Sequence, residues 1–355
     1  MTHRKHDLFF LLIIVCFAFG LANFAHAQNH PEMYPDYINV TIPPNIAPLN
    51  FIVKEPGDVY RVKVSSSAGQ PITVTSKTGT IQFPLEEWKQ LLSANAGESL
   101  RLNISIQSNS QWQDYDSIIN PIAEHKIDSH LVYRLLNSAY TRWSDMGIYQ
   151  RNLENFHESP IIHNRATEDK CMNCHSFNKN DPQSMMMHLR GGESSGTLIA
   201  RDGQMRKVNT ATDFNRAGAY PAWHPSGKLI AFSVNQLKMY FHSQEYDPRD
   251  VFDRGSDVIL YYIDENMVTT SPHISSAERM ETFPAWSPDG KVLYFVSCPD
   301  FQTFIDGDVL RYQDILYDLY RISFNAETRE WGEAELVLSG NELGRSITFP
   351  RISPD

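Results

Sequence analysis

The sequence predicts a mainly β protein in three parts: an N-terminal β-sandwich, a helical and loop connector, and an incomplete β-propeller. Three observations carry this. Short runs of alternating apolar residues fill 37–107, a hairpin-forming repeat recurs from Tyr220 onward, and a stretch between them has helical rather than strand periodicity. The boundaries drawn from these patterns are 36–110 for the sandwich, 111–195 for the connector and 196–355 for the propeller, after a leader at 1–27.

The leader has a basic start at Arg4 and Lys5, an apolar run from Leu8 to Phe19 and an Ala25-His26-Ala27 cleavage site, the layout of a secretory signal peptide. Its apolar run is too short for a spanning helix, and no later segment comes near the length one needs. Val15 is not the small residue that a lipoprotein signal places before its cysteine, which argues against a lipid anchor at Cys16. A soluble chain outside the cytoplasm is expected. After cleavage, Cys171, Cys174 and Cys298 remain, too few to staple a chain of this size. A net charge of -11 argues against nucleic acid and against an anionic membrane surface; it suits a basic partner and equally a merely soluble surface.

In the sandwich, Ile38-Val40-Ile42, Tyr60-Val62-Val64, Ile72-Val74 and Leu100-Leu102-Ile104-Ile106 read as half-buried strands, with one short helix from Pro84 to Leu92. Nothing catalytic is visible there. Asn39 and Asn103 head glycosylation sequons, a pattern common by chance. The connector opens on Asp128, a helix cap, followed by Leu131, Val132, Leu135, Leu136, Tyr140 and Trp143 at helical spacing.

The same connector delivers Cys171-Met172-Asn173-Cys174-His175, which matches the C-x-x-C-H pattern for covalent attachment of a c-type haem. In that chemistry the sulfurs of Cys171 and Cys174 add across two haem vinyl groups, and the imidazole of His175 becomes the proximal iron ligand. Three other readings use the same residues. A zinc site wants a second Cys/His pair, which is absent; a thioredoxin-like pair wants a strand before it, whereas 163–170 is polar; a structural disulfide remains open. Downstream, Met185-Met186-Met187-His188 supplies candidates for the second axial ligand: His188 first, any of the three methionines next, and His157, His163 or His224 as further options. Methionine runs also fill core gaps, and an open sixth position would suit a peroxidase. Gly192-Glu193-Ser194-Ser195-Gly196 fits the hydrolase elbow pattern by letter only, since no apolar strand precedes it and no helix follows.

From Tyr220 the chain repeats itself. Tyr220-Pro221-Ala222-Trp223-His224-Pro225-Ser226-Gly227-Lys228 is answered by Phe283-Pro284-Ala285-Trp286-Ser287-Pro288-Asp289-Gly290-Lys291, and a third copy begins at Phe349. Ser-Pro-Asp-Gly is a type I turn signal, and an apolar strand follows each complete copy, at Leu229 and at Val292. Four strands per repeat is the arithmetic of a propeller blade, with insertions expected at 236–254 and 299–314. Asp247, Asp250, Asp253 and Asp257 cluster in and beside the first insertion, a weak calcium pattern and more simply an acidic loop. The third copy stops early, so further blades, or another chain, are expected to complete the ring.

These repeats resemble the Pro-Asp-Gly propeller repeat of TolB-type periplasmic proteins, and the whole resembles exported bacterial proteins that join such a propeller to a Cys-Met-Asn-Cys-His-Ser-Phe motif. The resemblance runs from Asn39 through Asn45-Ile46-Ala47-Pro48-Leu49-Asn50-Phe51, Met146-Gly147-Ile148-Tyr149-Gln150-Arg151 and Cys171 to Phe177. It implies a haem-bearing envelope protein and supplies no reaction. Two function classes follow: an electron-transfer or redox-sensing cytochrome with a redox or envelope partner, or a TolB-like protein-binding scaffold whose Cys pair is structural.

Overall fold

A computed structural model describes residues 29–136, 146–241 and 249–353. The expected leader, Tyr140, Trp143 and Asp247 lie outside them. The described residues divide into two compact units, one taken from those up to 132 with 150–159 and the other from the rest.

The first unit contains β1 (Met33–Tyr34), β2 (Phe51–Val53), β3 (Val59–Ser65), β4 (Ile72–Ser76), β5 (Thr80–Ile81), α1 (Leu85–Ser93), β6 (Ser99–Ser108), β7 (Gln111–Asp114) and β8 (Ile118–Pro121). One sheet runs β4-β3-β6-β7 with β8 also on β6, and a smaller one runs β1-β2-β5. Alternation explains the layer: Tyr60, Val62, Val64, Leu100, Leu102, Ile104 and Ile106 point to one face and are all buried, while their neighbours face solvent. Pro84 opens α1, Glu86 and Glu87 favour its positive end, and Trp88, Leu91 and Leu92 are buried beneath it. The Trp88 indole N–H donates to the Ile46 carbonyl, 3.0 Å, so its polar edge is satisfied inside the core. The strand expected at Ile38-Val40-Ile42 is absent. Asn39 takes a left-handed φ of 56°, which turns the chain out of the extended path, and only Ile42 pairs, in a single bridge to Ile122.

A three-stranded sheet in the order β11-β10-β9 follows, from β9 (His130–Leu136), β10 (Met146–Asn152) and β11 (Glu158–His163). The helix expected from Asp128 onward is therefore corrected to a strand. Leu131, Leu135 and Leu136 are exposed, so the helical spacing had no core to serve, and the Tyr133 ring stacks on Tyr149 at 6.4 Å.

The second unit goes on with three consecutive antiparallel sheets, two of four strands and one of four plus an added strand, the repeating unit of a β-propeller. The first comprises β12 (Cys171–Phe177), β13 (Met185–Arg190), β14 (Gly196–Arg201) and β15 (Gln204–Val208). The second comprises β16 (Ala219–Trp223), β17 (Leu229–Phe241), β18 (Arg249–Tyr262) and β19 (Met267–Thr269). The third comprises β20 (Arg279–Trp286), β21 (Val292–Pro299), β24 (Asp318–Asn325) and β25 (Glu330–Trp331), with β26 (Glu335–Leu338) also on β24. The motif-bearing stretch, expected to be a loop-and-helix connector up to residue 195, is instead the inner half of the first blade.

Period-two burial holds the blades together. Along β17, Ile230 and Phe232 pack with Met186, Ile199 and Val208 of the first blade, whereas Leu229 and Ala231 pack with Trp286, Leu293 and Phe295 of the third. Each large side chain so buried contributes about 1.5–3 kcal/mol. Both insertions join the second and third strands of their blades. One lengthens the β17–β18 hairpin; the other carries β22 (Ile305–Asp306) and β23 (Val309–Leu310), before the short α2 (Gly340–Leu343) farther on. They meet in a shared cluster of Phe252, Phe301, Phe304 and Tyr317, with Phe252 stacked on Tyr312 at 5.0 Å. No helix among the described residues is long and apolar enough to cross a membrane.

Candidate functional site

The Cys-x-x-Cys-His motif lies wholly within β12, but the strand is broken at its fourth residue. Cys174 has a left-handed φ of 53°, and the β12–β13 register slips between Asn173 and Ser176. The same break recurs at Tyr220, φ 47°, in β16 and at Phe283, φ 51°, in β20, each with a matching register slip, and Phe349 shows it again at φ 49°. The turns that follow are closed alike. The amides of Asn178, His224 and Ser287 donate to the carbonyls of Ser184, Leu229 and Val292, and the amides of Asp181, Gly227 and Gly290 donate back to Asn178, His224 and Ser287. Cys174-His175-Ser176-Phe177-Asn178 is thus a further copy of Tyr220-Pro221-Ala222-Trp223-His224. Sequence reading missed it because the two share no residue; the available signal was Phe177 standing where Trp223 and Trp286 stand.

These bulges surround a cleft of about 410 Å³. Cys174 and His175 form one wall, and Tyr220, Phe283 and Phe349 with Pro221 and Pro284 form the other, while Arg134 and Arg351 add positive charge. The three rings make one cluster: Tyr220 meets Phe283 edge-on at 4.9 Å and Phe349 at 5.6 Å, and Phe283 lies 4.0 Å from Phe349. Behind the motif, Met172 is fully buried and its amide donates to the Met146 sulfur at 3.3 Å, which anchors the strand from the rear.

Burial raises the pKa of both motif thiols, and the charges of Arg190 and Arg134 pull each partly back. The Tyr220 backbone N–H also stabilises the Cys174 sulfur. Both are free thiols, and the neighbouring Cys174 adds a smaller rise to that of Cys171. The Cys174 thiol and the His175 imidazole on the cleft wall, aromatic rings opposite and two cationic groups suited to carboxylates are residue types that a covalently held haem with its propionates would use; Cys171, three residues back on β12, does not line this cleft. Among the described residues no cluster of three His, Cys, Asp or Glu could hold a bare metal ion.

The other predicted residues are spread out. His188 is buried on β13, its Nδ1 3.1 Å from the Thr197 hydroxyl, and burial and the charge of Arg190 push its pKa down to about 4. It lines a second cleft of about 540 Å³ rather than the one that holds His175. Met186 is consumed by the core between the first two blades, Met187 is buried and Met185 is half-buried on the same strand. His163 caps a short turn by accepting from the Arg165 amide, and His157 stands on an exposed turn. His224 links two blades: Nε2 lies 3.0 Å from the Gly290 carbonyl, Nδ1 2.8 Å from the Ser226 hydroxyl, and the ring meets Trp286 edge-on at 4.9 Å. Asp253 is buried against Asn235 and the Tyr317 hydroxyl, Asp250 accepts from Tyr312 and Asp257 from Ser275, so the acidic residues each have separate structural partners. Cys298 is fully buried, with its thiol pushed up to about 12, as expected of a small core residue. Ser194 lies in the turn between β13 and β14, held by Glu168, and forms no nucleophile elbow.

No protein-family model matches this chain, and no curated protein matches it. Among solved structures it is similar to an oligogalacturonate lyase in complex with manganese, at TM-score 0.31 and 12% identity over 58% of this chain and 50% of that one. It is likewise similar to the oligogalacturonate lyase of Vibrio parahaemolyticus, at 0.30 and 10% over 88% and 79%, and to a puromycin-hydrolyzing peptidase of Mycobacterium tuberculosis, at 0.30 and 11% over 83% and 49%. The chain thus spans about half the length of two of these proteins. Overlaps this loose assign no activity, and the propeller-like architecture rests on the repeated blades themselves.

Proposed function

We propose that this chain is an exported, cytochrome-like protein that carries haem c covalently on Cys171 and Cys174 and works in electron transfer or redox sensing in a bacterial envelope. The observation that carries the reading is the placing of Cys174 and His175 on the first blade's bulge, facing an aromatic cleft in company with two arginines. When bound, the haem supplies one-electron chemistry at iron. The chain does the rest. Cys171 and Cys174 would hold the group through two thioether bonds, each formed by net addition of S–H across a C=C, so that no oxidant or reductant is consumed. His175 would supply a ligand to the iron, the aromatic rings and prolines would pack against the macrocycle, and Arg134 and Arg351 would face its carboxylates. His188, Met185, Met186 and Met187 are second-ligand candidates only if β13 shifts toward the cleft that holds His175.

The test is expression of the full chain with a c-type maturation system. A haem band that survives denaturing electrophoresis, with a Soret absorption lost in Cys171→Ala/Cys174→Ala, is the expected result. A folded, exported chain that holds no covalent haem would overturn this reading and leave the TolB-like partner-binding scaffold.

A further inference from the structure

We propose that the second cleft, at the mouth between the first two blades, binds a small hydroxylated organic acid. Its volume of about 540 Å³ lies within the roughly 300–1,000 Å³ usual for small-molecule sites. In a chain with a net charge of -11, two guanidiniums, Arg190 and Arg216, line this one cleft. Both are exposed, and neither pairs with a carboxylate among the described residues. Unpaired arginines that converge on a concave surface are suited to a planar carboxylate, which each can grip with two N–H bonds.

The remaining polar groups ask for hydroxyls rather than for more charge. The Asn209 side-chain oxygen is occupied by the Ala211 amide, 3.0 Å, which leaves its NH2 for a ligand oxygen. The Asn235 amide nitrogen is spent on both Asp253 oxygens and on Thr282, while its own oxygen is buried with no partner. That oxygen can only accept, so it calls for an O–H or N–H donor on the ligand. Leu189, Ala217, Ala219 and Leu237 make the cleft's apolar side, fit for a short carbon chain. His188 on the cleft wall is already committed, with Nδ1 3.1 Å from the Thr197 hydroxyl. A carboxylate at one end, hydroxyls along a short carbon skeleton and no positive group describe the ligand.

The site uses none of Cys171, Cys174 and His175, so it can be tested apart from the haem reading. Isothermal titration of the purified full chain with gluconate, hexanoate, glucose and inorganic phosphate reads each requirement separately. Gluconate is expected to bind saturably and in a salt-sensitive way, with hexanoate and glucose each weaker by about tenfold or more. Arg190→Gln and Arg216→Gln, both at exposed positions, should each cost about tenfold with an unchanged melting temperature. The same gluconate affinity is expected in Cys171→Ala/Cys174→Ala, which separates this result from failure of haem attachment. Absence of saturable gluconate binding, an unchanged affinity in the double Arg→Gln chain, or phosphate binding as tightly as gluconate would each overturn the proposal.

Discussion

At the scale of single residues, two side chains show how the site is held and tuned. Arg134 lies on the cleft with Cys174 and His175, and its charge already lowers the pKa of both thiols. A positive charge so placed favours the reduced state of a redox centre, so in the haem-loaded protein Arg134→Gln should lower the midpoint potential by spectroelectrochemistry and leave the Soret yield intact. His224 acts between blades. His224→Ser, the residue found in the next repeat, removes the bond to the Gly290 carbonyl and part of the packing on Trp286. Urea denaturation should show a loss of about 1–3 kcal/mol. Gly290 has no freedom of its own here: at φ 74° an added Cβ would stand 2.4 Å from the His224 ring nitrogen, so Gly290→Ala should destabilise at least as much.

At the scale of elements, the blade strands were legible wherever alternation met a turn signal. Leu229 and Val292 start their strands where Pro-Ser-Gly and Pro-Asp-Gly said they would, and α1 falls one residue from its expected place. What failed did so for physical reasons. Leu131, Val132, Leu135 and Leu136 are spaced for a helix, but spacing alone carries no force without a face to bury, and the segment pairs as β9 instead. Of the candidate site, the residues of the motif could be read but their setting could not. The bulge of the first blade depends on backbone conformation at Cys174, which has no residue in common with its counterparts. The methionine run was ambiguous in the sequence, and the structure uses Met186 as packing. Met186→Ala should therefore cost about 2–5 kcal/mol in chemical denaturation while covalent haem yield stays unchanged, since the blade contact and not the iron would be lost.

At the scale of the whole molecule, two buried groups give stability opposing pH dependences. Burial raises Glu281 to about 7, with Asp257 adding to the shift, so between about 4.5 and 7 the folded chain binds more protons than the unfolded one and stability falls as pH rises. Burial lowers His188 to about 4, so between about 6.5 and 4 the folded chain binds fewer protons and stability falls as pH drops. The two slopes largely cancel near pH 5–6. In the haem-free Cys171→Ala/Cys174→Ala background, Glu281→Gln should expose the histidine term, so that melting temperature falls steadily from pH 7 to 4.5. A flat profile in that variant would contradict the assignment. Finally, the backbone path at Cys174-His175 is repeated at Tyr220-Pro221, and Ala217 precedes Tyr220 by the same three residues as Cys171 precedes Cys174, though it lies just before β16. If the proposed haem attachment holds, the shared backbone path predicts that Ala217→Cys, Tyr220→Cys and Pro221→His in a Cys171→Ala/Cys174→Ala chain restore a covalent haem band on denaturing electrophoresis one repeat along, with no loop lengthened.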